Sequence, residues 1–597
     1  MRFRTPHRGA SVPFAELPRP GDGTISDAPQ ASQLPPAAAA AIAAAALAAC
    51  GGGGGGGSGG SNGTPGSPPG EPTAPANLPD EPTAPATLAD EPMAAADAAR
   101  LLAQGTLGAS RADIRLAEAT GARKWIEQQF AIEPLTGHFD WLLAAGFDNE
   151  ANRLEFTGLD NSIWRKFIAS PDALRQRMVL ALSEICVVSV TGIAADWGQF
   201  AAANYLDILE RNAFGNYRQL LQEMTLSSAM GYFLNYRGSA KANDRGSQPD
   251  ENYAREVMQL FTIGLLRLQA DGTVAPGNVE TYGADDVSGL ARVFTGWDLD
   301  TAGLPSPVPP EVQRRPMAQV ASRYETGAKT FLGVTVAEGT DARSALATAL
   351  DTLFNHPNLP PFVGRQLIQR LVSSNPSPAY VARVAAVFAN NGQGVRGDLK
   401  AVLRAILLDP EARDAASAAN PSFGKVREPV VRLLNWARAF GASSPSGLWA
   451  IGDLSDATTR LGQSPMRSPT VFNFFRPGYV PPGSALAAAG LAAPELQIAN
   501  ETSVAGYLNF MQRAIAGFGV GDLQADYSSL LALADDARAL LDELNLVLAA
   551  GQVPAATLAM LQQALDTIAP GNDSARRNRV LAALLMVLAA PEYIAQK

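Results

Sequence analysis

From Ala94 to the end of the chain, apolar residues return every three or four positions, stretch after stretch, with glycine, proline and polar clusters between them. That rhythm lays an apolar stripe along each of many helices and carries no strand–helix alternation of the kind a parallel sheet needs. Ser170-Pro171-Asp172, Ser377-Pro378 and Gly397-Asp398 each precede such a run and read as helix starts. The expectation is a mainly α, large multi-helix, bundle-like body with at most a small β-hairpin, placed between Leu266 and Thr281 around Asp271-Gly272. A proline-rich irregular connection over 301–340 divides the body into an N-terminal lobe, 94–300, and a C-terminal lobe, 341–597.

The densest chemistry lies between Pro249 and Trp297. Pro249 to Gly264 reads as one helix, with Tyr253, Val257, Leu260 and Phe261 on its buried face and Asn252, Glu256 and Gln259 as a polar ridge. Glu251 stands four residues before Arg255, the favourable order for an ion pair. A second helix runs from Asp285 to Phe294, with Asp285 and Asp286 in its first turn, where the helix dipole favours negative charge. Glu251, Arg255, Glu256, Asp285 and Arg292 are therefore the candidate site residues. One use for them is a buried ion-pair network that fixes helix register. Another is general acid–base work, or a hard cation such as Ca²⁺ or Mg²⁺ held by Glu256, Asp285 and Asp286. A third is a site for a partner's backbone. No cofactor is called for by the sequence itself.

The wording PDENYAREVMQLFTIGL, followed by YGADDVSGLARVFTGWD, resembles the signature of the bacterial family called domain of unknown function 1800. SPMRSPTVFNFFRPGYVPPG, from Ser464 to Gly483, resembles a landmark of the same family, and the likeness runs over 94–597. The resemblance implies architecture and an exported location rather than a reaction. It also implies a histidine where this chain has Phe261, and a His-Asp pair where it has Tyr324-Glu325. Both departures remove groups that titrate near neutral pH. Members of the family are often encoded beside a second family with a phosphatase-like fold, so the resemblance implies a binding or assembly role with such a partner protein. The alternative is a hydrolase of an envelope or extracellular polymer, working through Glu256 and Asp285.

Composition excludes several classes. Lys plus Arg is 47 against 57 Asp plus Glu, and a net charge of −10 argues against nucleic-acid binding, which needs clustered cations. The run Arg576-Arg577-Asn578-Arg579 reads as the wet face of a terminal helix. Beyond Cys50 the chain offers a structural zinc site only His138, His356 and Cys186, too few ligands, and Cys186 reads as a small buried hydrophobe. Asp298-x-Asp300-x-x-Gly303 fails as an EF-hand, and there is neither a phosphate-binding P-loop nor a dinucleotide fingerprint. Phe472, Phe474, Phe475, Pro477 and Tyr479 form either a packed loop or a groove for a peptide or glycan.

Residues 1–50 read as a signal segment. The apolar run from Ala37 to Ala49 is too short to span a bilayer, which takes about 20 residues, but suits a signal-peptide core. Leu47-Ala48-Ala49-Cys50 resembles the lipobox of bacterial lipoproteins, which implies lipid attachment at Cys50 and a membrane anchor in the cell envelope. Residues 51–93 are glycine-rich, then carry a Glu-Pro repeat, and read as a disordered linker that can bury no core. The Gly-x-Ser-x-Gly match at Ser58 lies in this linker and has no strand–turn–helix context.

Overall fold

Helix starts follow the side chains that cap them. Ser377 accepts the Tyr380 N–H, with Pro378 in the first turn of Pro378–Ala389. Asp398 accepts from Ala401 at the head of Leu399–Leu407, and Asp341 takes two N–H groups of Ala342–Asn355. The computed structural model describes residues 91–597, so the expectations for 1–50 and nearly all of 51–93, Cys50 included, fall outside the described residues. Among the described residues the named strands form three two-stranded antiparallel pairs, and the body is mainly α-helical.

The regular hairpin lies elsewhere than expected. β1 (Trp297–Asp298) pairs with β2 (Ala318–Gln319), and β3 (Lys329–Phe331) pairs with β4 (Val334–Val336). The two-residue loop between β3 and β4 is Leu332-Gly333, at φ 48° and 75°, the left-handed pair that a type I′ turn requires. Thr330, Val334, Thr335 and Val336 favour the pleat by their branching. The loop from Leu266 to Thr281 does double back, but only through isolated bridges, Leu266 with Glu280 and Leu268 with Val274. β5 (Lys425–Val426) takes the C-terminal β6 (Ala595–Gln596) as its partner.

One buried apolar cluster runs from Ala98 to Tyr593, and Met317, Tyr324, Phe331 and Val336 of the 301–340 segment belong to it. Helices of the two expected lobes pack on each other directly: Ala95–Gly105 against Ala537–Ala549, and Leu159–Ala169 against Pro429–Ala439. Polar groups are drawn inside where backbone needs them. Asp207 of the Gly198–Asn212 helix accepts the N–H groups of His138 and Phe139 at 2.7 and 3.0 Å, and burial pushes its carboxyl up to about 6. Arg579 corrects the expected wet face of the last long helix, since it is 1% exposed. It donates to Ala534 O, Leu565 O and Ile568 O, carbonyls left open where neighbouring segments end. Arg576, on the same helix, does stay at the surface, paired with Asp535.

Candidate functional site

The expected Pro249–Gly264 helix changes type halfway. Asn252–Glu256 is α-helical, and Val257–Thr262 is a π-helical turn. Ile263 N–H reaches the fifth residue back, Met258 O, at 2.8 Å, and Thr262 Oγ1 donates to Val257 O at 2.5 Å. The Phe261 carbonyl accepts the buried Tyr217 hydroxyl at 2.7 Å. Gly264, at φ 70°, then ends the helix where a Cβ would meet the Phe362 ring at 2.8 Å. Turns of this kind interrupt the 3.6-residue phase and are frequent at functional sites. Here the polar ridge Asn252–Glu256–Gln259 is broken, and Gln259 lines a cleft that Glu256 does not.

That cleft has a volume of about 450 Å³. One wall is the signature segment, through Gln259, Leu260 and Leu265 to Leu268. The opposite wall is the aromatic landmark loop, through Val471, Phe472 and Pro477. The Leu359–Leu371 helix contributes Phe362, Arg365, Gln366, Gln369 and Arg370, and Glu184 lines the cleft as well. Gln369 Nε2 donates to Ser374 O at 3.0 Å and to Pro477 O at 3.3 Å, which pins helix to loop. In the aromatic segment Phe475 packs at 1% exposure beneath the Arg370 guanidinium, while Phe472 and Pro477 line the cleft.

Beneath the cleft lies a buried charge cluster. Arg370 Nε stands 3.4 Å from Glu184 Oε2, Lys425 Nζ is 3.0 Å from Glu495 Oε1, and Glu428 Oε1 lies 4.0 Å from both Arg177 and Lys425. Gln463 Nε2 donates to Glu428 Oε2 at 2.7 Å. Burial, then the nearby Glu428 charge, pushes the Glu184 carboxyl well above the usual glutamate range. Burial also acts upward on Glu428, but a hydrogen bond from Glu184 and the charges of Lys425, Arg177 and Arg370 outweigh it and hold it below that range. Both Glu184 oxygens and Glu428 Oε1 are buried and find no conventional donor among the described residues. The cluster's members come from separate stretches between 177 and 495, with only Lys425 and Glu428 close together in sequence.

The six candidates from 250–297 take separate places, and the single ion-pair network does not form. Glu251 and Arg255 make a surface pair at 3.3 Å. Arg292 turns instead to Glu325, at 3.6 Å, the residue that stands in the expected His-Asp position. Asp286 accepts the Gly283 N–H at 2.8 Å and the Leu332 N–H at 2.6 Å, clamping its helix, Ala284–Ala291, to the β3–β4 turn. Asp285 is exposed. Glu256 is 8% exposed, and neither a hydrogen bond nor an ion pair ties its carboxyl to Asp285 or Arg292. Burial raises it above the usual range, against the opposing charge of Arg255. The network fails because the hairpin, which the sequence hid, claims Asp286, and Glu325 claims Arg292. Among the described residues no group of three or more His, Cys, Asp or Glu side chains is placed to hold a metal ion, and Glu256, Asp285 and Asp286 do not gather. Burial pushes the Cys186 thiol up to about 12, as befits a core residue.

A family model described as protein of unknown function (DUF1800) matches residues 100–595. No curated protein and no solved structure matches the chain.

Proposed function

The chain belongs to the DUF1800 family, and from that premise we propose that it is a binding protein that holds an apolar segment of a partner polypeptide in the cleft between the signature segment and the aromatic loop. The observation that carries this reading is the cleft itself: about 450 Å³, walled by Leu260, Leu266, Leu268, Phe362, Val471 and Phe472, with amides, three arginines and one glutamate among them. Sites of that size, mainly apolar with a set of convergent polar groups, are where proteins take ligands. The loop that forms its lip keeps Leu265 at 55% exposure and also exposes Val274 and Val279, so the apolar surface continues beyond the cavity. A chain longer than the cavity fits that continuation better than a compact small molecule does.

The place of action belongs to the same proposal. The Leu47-Ala48-Ala49-Cys50 motif supports export and a lipid anchor, with 51–93 as tether. Cys50→Ser is expected to move the protein from the membrane fraction to the soluble one; unchanged fractionation would contradict the anchor. The partner to try first is the phosphatase-like protein that the family resemblance brings forward. Full-length chain should co-purify with it, and Phe472→Asp should abolish this without moving the thermal midpoint. Equal recovery with Phe472→Asp would overturn the reading. The hydrolase alternative needs Glu256 and Asp285 to act as a pair, and the side-chain contacts give that pairing no support.

A further inference from the structure

Charge around the cleft is one-sided. Three guanidiniums line it, Arg365, Arg370 and Arg476, against a single carboxyl, Glu184. Arg370 is answered by Glu184 at 3.4 Å in the floor. Arg365 and Arg476 stand exposed at the rim, and among the described residues neither has a carboxylate partner. Arg476 instead lies over the Phe472 ring, its carbon 4.8 Å from the centroid, which orients the guanidinium beside the apolar wall. In a chain that carries −10 overall, two unanswered arginines flanking one apolar cleft are a local reversal of sign. Gln366 adds a donor: its Nε2 is buried at the cleft with no acceptor among the described residues. An extended peptide has backbone carbonyls to offer such a donor, and an alkyl chain has none.

Resting on the binding reading above, we infer that the occupant is an acidic-flanked apolar peptide: its apolar side chains fill the cleft, a Glu or Asp carboxylate on either side seats on Arg365 or Arg476, and a backbone carbonyl accepts from Gln366 Nε2. Arginine's planar fork matches a carboxylate in two parallel hydrogen bonds, and charge-assisted bonds are the stronger class. Specificity comes from the rim and bulk affinity from the walls, the usual division in a peptide groove.

Fluorescence anisotropy of labelled peptides on the full-length chain tests this. Three peptides share one Leu/Phe core and differ only in their flanks, which are Glu, Gln or Lys. The Glu peptide is expected to bind about tenfold more tightly than the Gln peptide, with the Lys peptide weakest. In Arg365→Gln/Arg476→Gln that preference should shrink to about twofold or less, with Gln-peptide affinity and thermal midpoint unchanged. Equal binding of Glu and Gln peptides, both lost in Phe472→Asp, overturns the inference and leaves the binding reading standing. A Glu preference that survives the double substitution also overturns it. Decanoate that binds more tightly than the Glu peptide overturns it in favour of a small apolar acid. Gln-peptide binding that ignores Phe472→Asp sinks both readings at once.

Discussion

Between Glu251 and Arg292 the acids and arginines are neighbours in sequence, and they scatter: Glu251 and Arg255 pair at the surface, Asp286 caps its own helix, and Asp285 stays exposed. Arg177, Glu184, Arg370, Lys425, Glu428 and Glu495 come from distant stretches and end buried together. The first group can settle charge by itself, because i,i+4 spacing or a helix first turn is enough. The second cannot, because desolvated charge demands partners that only the fold supplies. Closeness in sequence therefore marks where charge is concentrated, and long-range burial marks where it is indispensable. The cleft lies over the second group.

The sharpest way to break this contrast is Glu428→Ala. It leaves Arg177 and Lys425 without their shared acid, and a loss of about 3–5 kcal/mol is expected in urea unfolding. Loss of under about 1 kcal/mol would mean the cluster is not built as described. Glu184 sharpens the contrast through pH. Its folded-state value is raised, so the stability its proton gives is present in full below the ordinary glutamate value of 4.5 and is lost as pH rises through the folded value. Glu428 has the opposite sign: its contribution is present above 4.5 and lost as pH falls through its lowered value. Glu184→Gln keeps the shape without the titration and should flatten the decline of thermal midpoint above about pH 5. An unchanged slope would place the proton elsewhere. Next in size is Asp286→Ala, which releases Gly283 N and Leu332 N from their acceptor and should cost about 1–2 kcal/mol. Glu251→Ala removes only an exposed pair and should move stability by less than about 0.5 kcal/mol.

Much of the helical skeleton was legible in the sequence because capping and periodicity are local. Ser377-Pro378 and Gly397-Asp398 start helices as read, each with its capping side chain on the expected backbone N–H. The signature segment was legible as a place and misleading as a set of residues. Nothing in Val257–Thr262 announces a π turn, so the 3.6-residue ridge put Glu256 beside Gln259 when only Gln259 meets the cleft. The hairpin at Lys329–Val336 was missed because the proline-rich chain before it masked a short β-branched run with a Leu-Gly turn. Arg365 and Glu184 were invisible for a different reason. Each sits on a helix with no unusual local pattern, and only the meeting of four distant segments turns them into cleft residues.

The central claim is that the signature segment contributes a cleft wall and that its acids do not hold the ligand. The direct measurement is affinity of the full-length chain for the labelled Leu/Phe peptide with Gln flanks, comparing Leu266→Asp with Glu256→Gln/Asp285→Asn. The account predicts at least about a tenfold loss for Leu266→Asp at an unchanged thermal midpoint, and wild-type affinity for the double variant. Loss of binding in Glu256→Gln/Asp285→Asn, with Leu266→Asp binding normally, would contradict it.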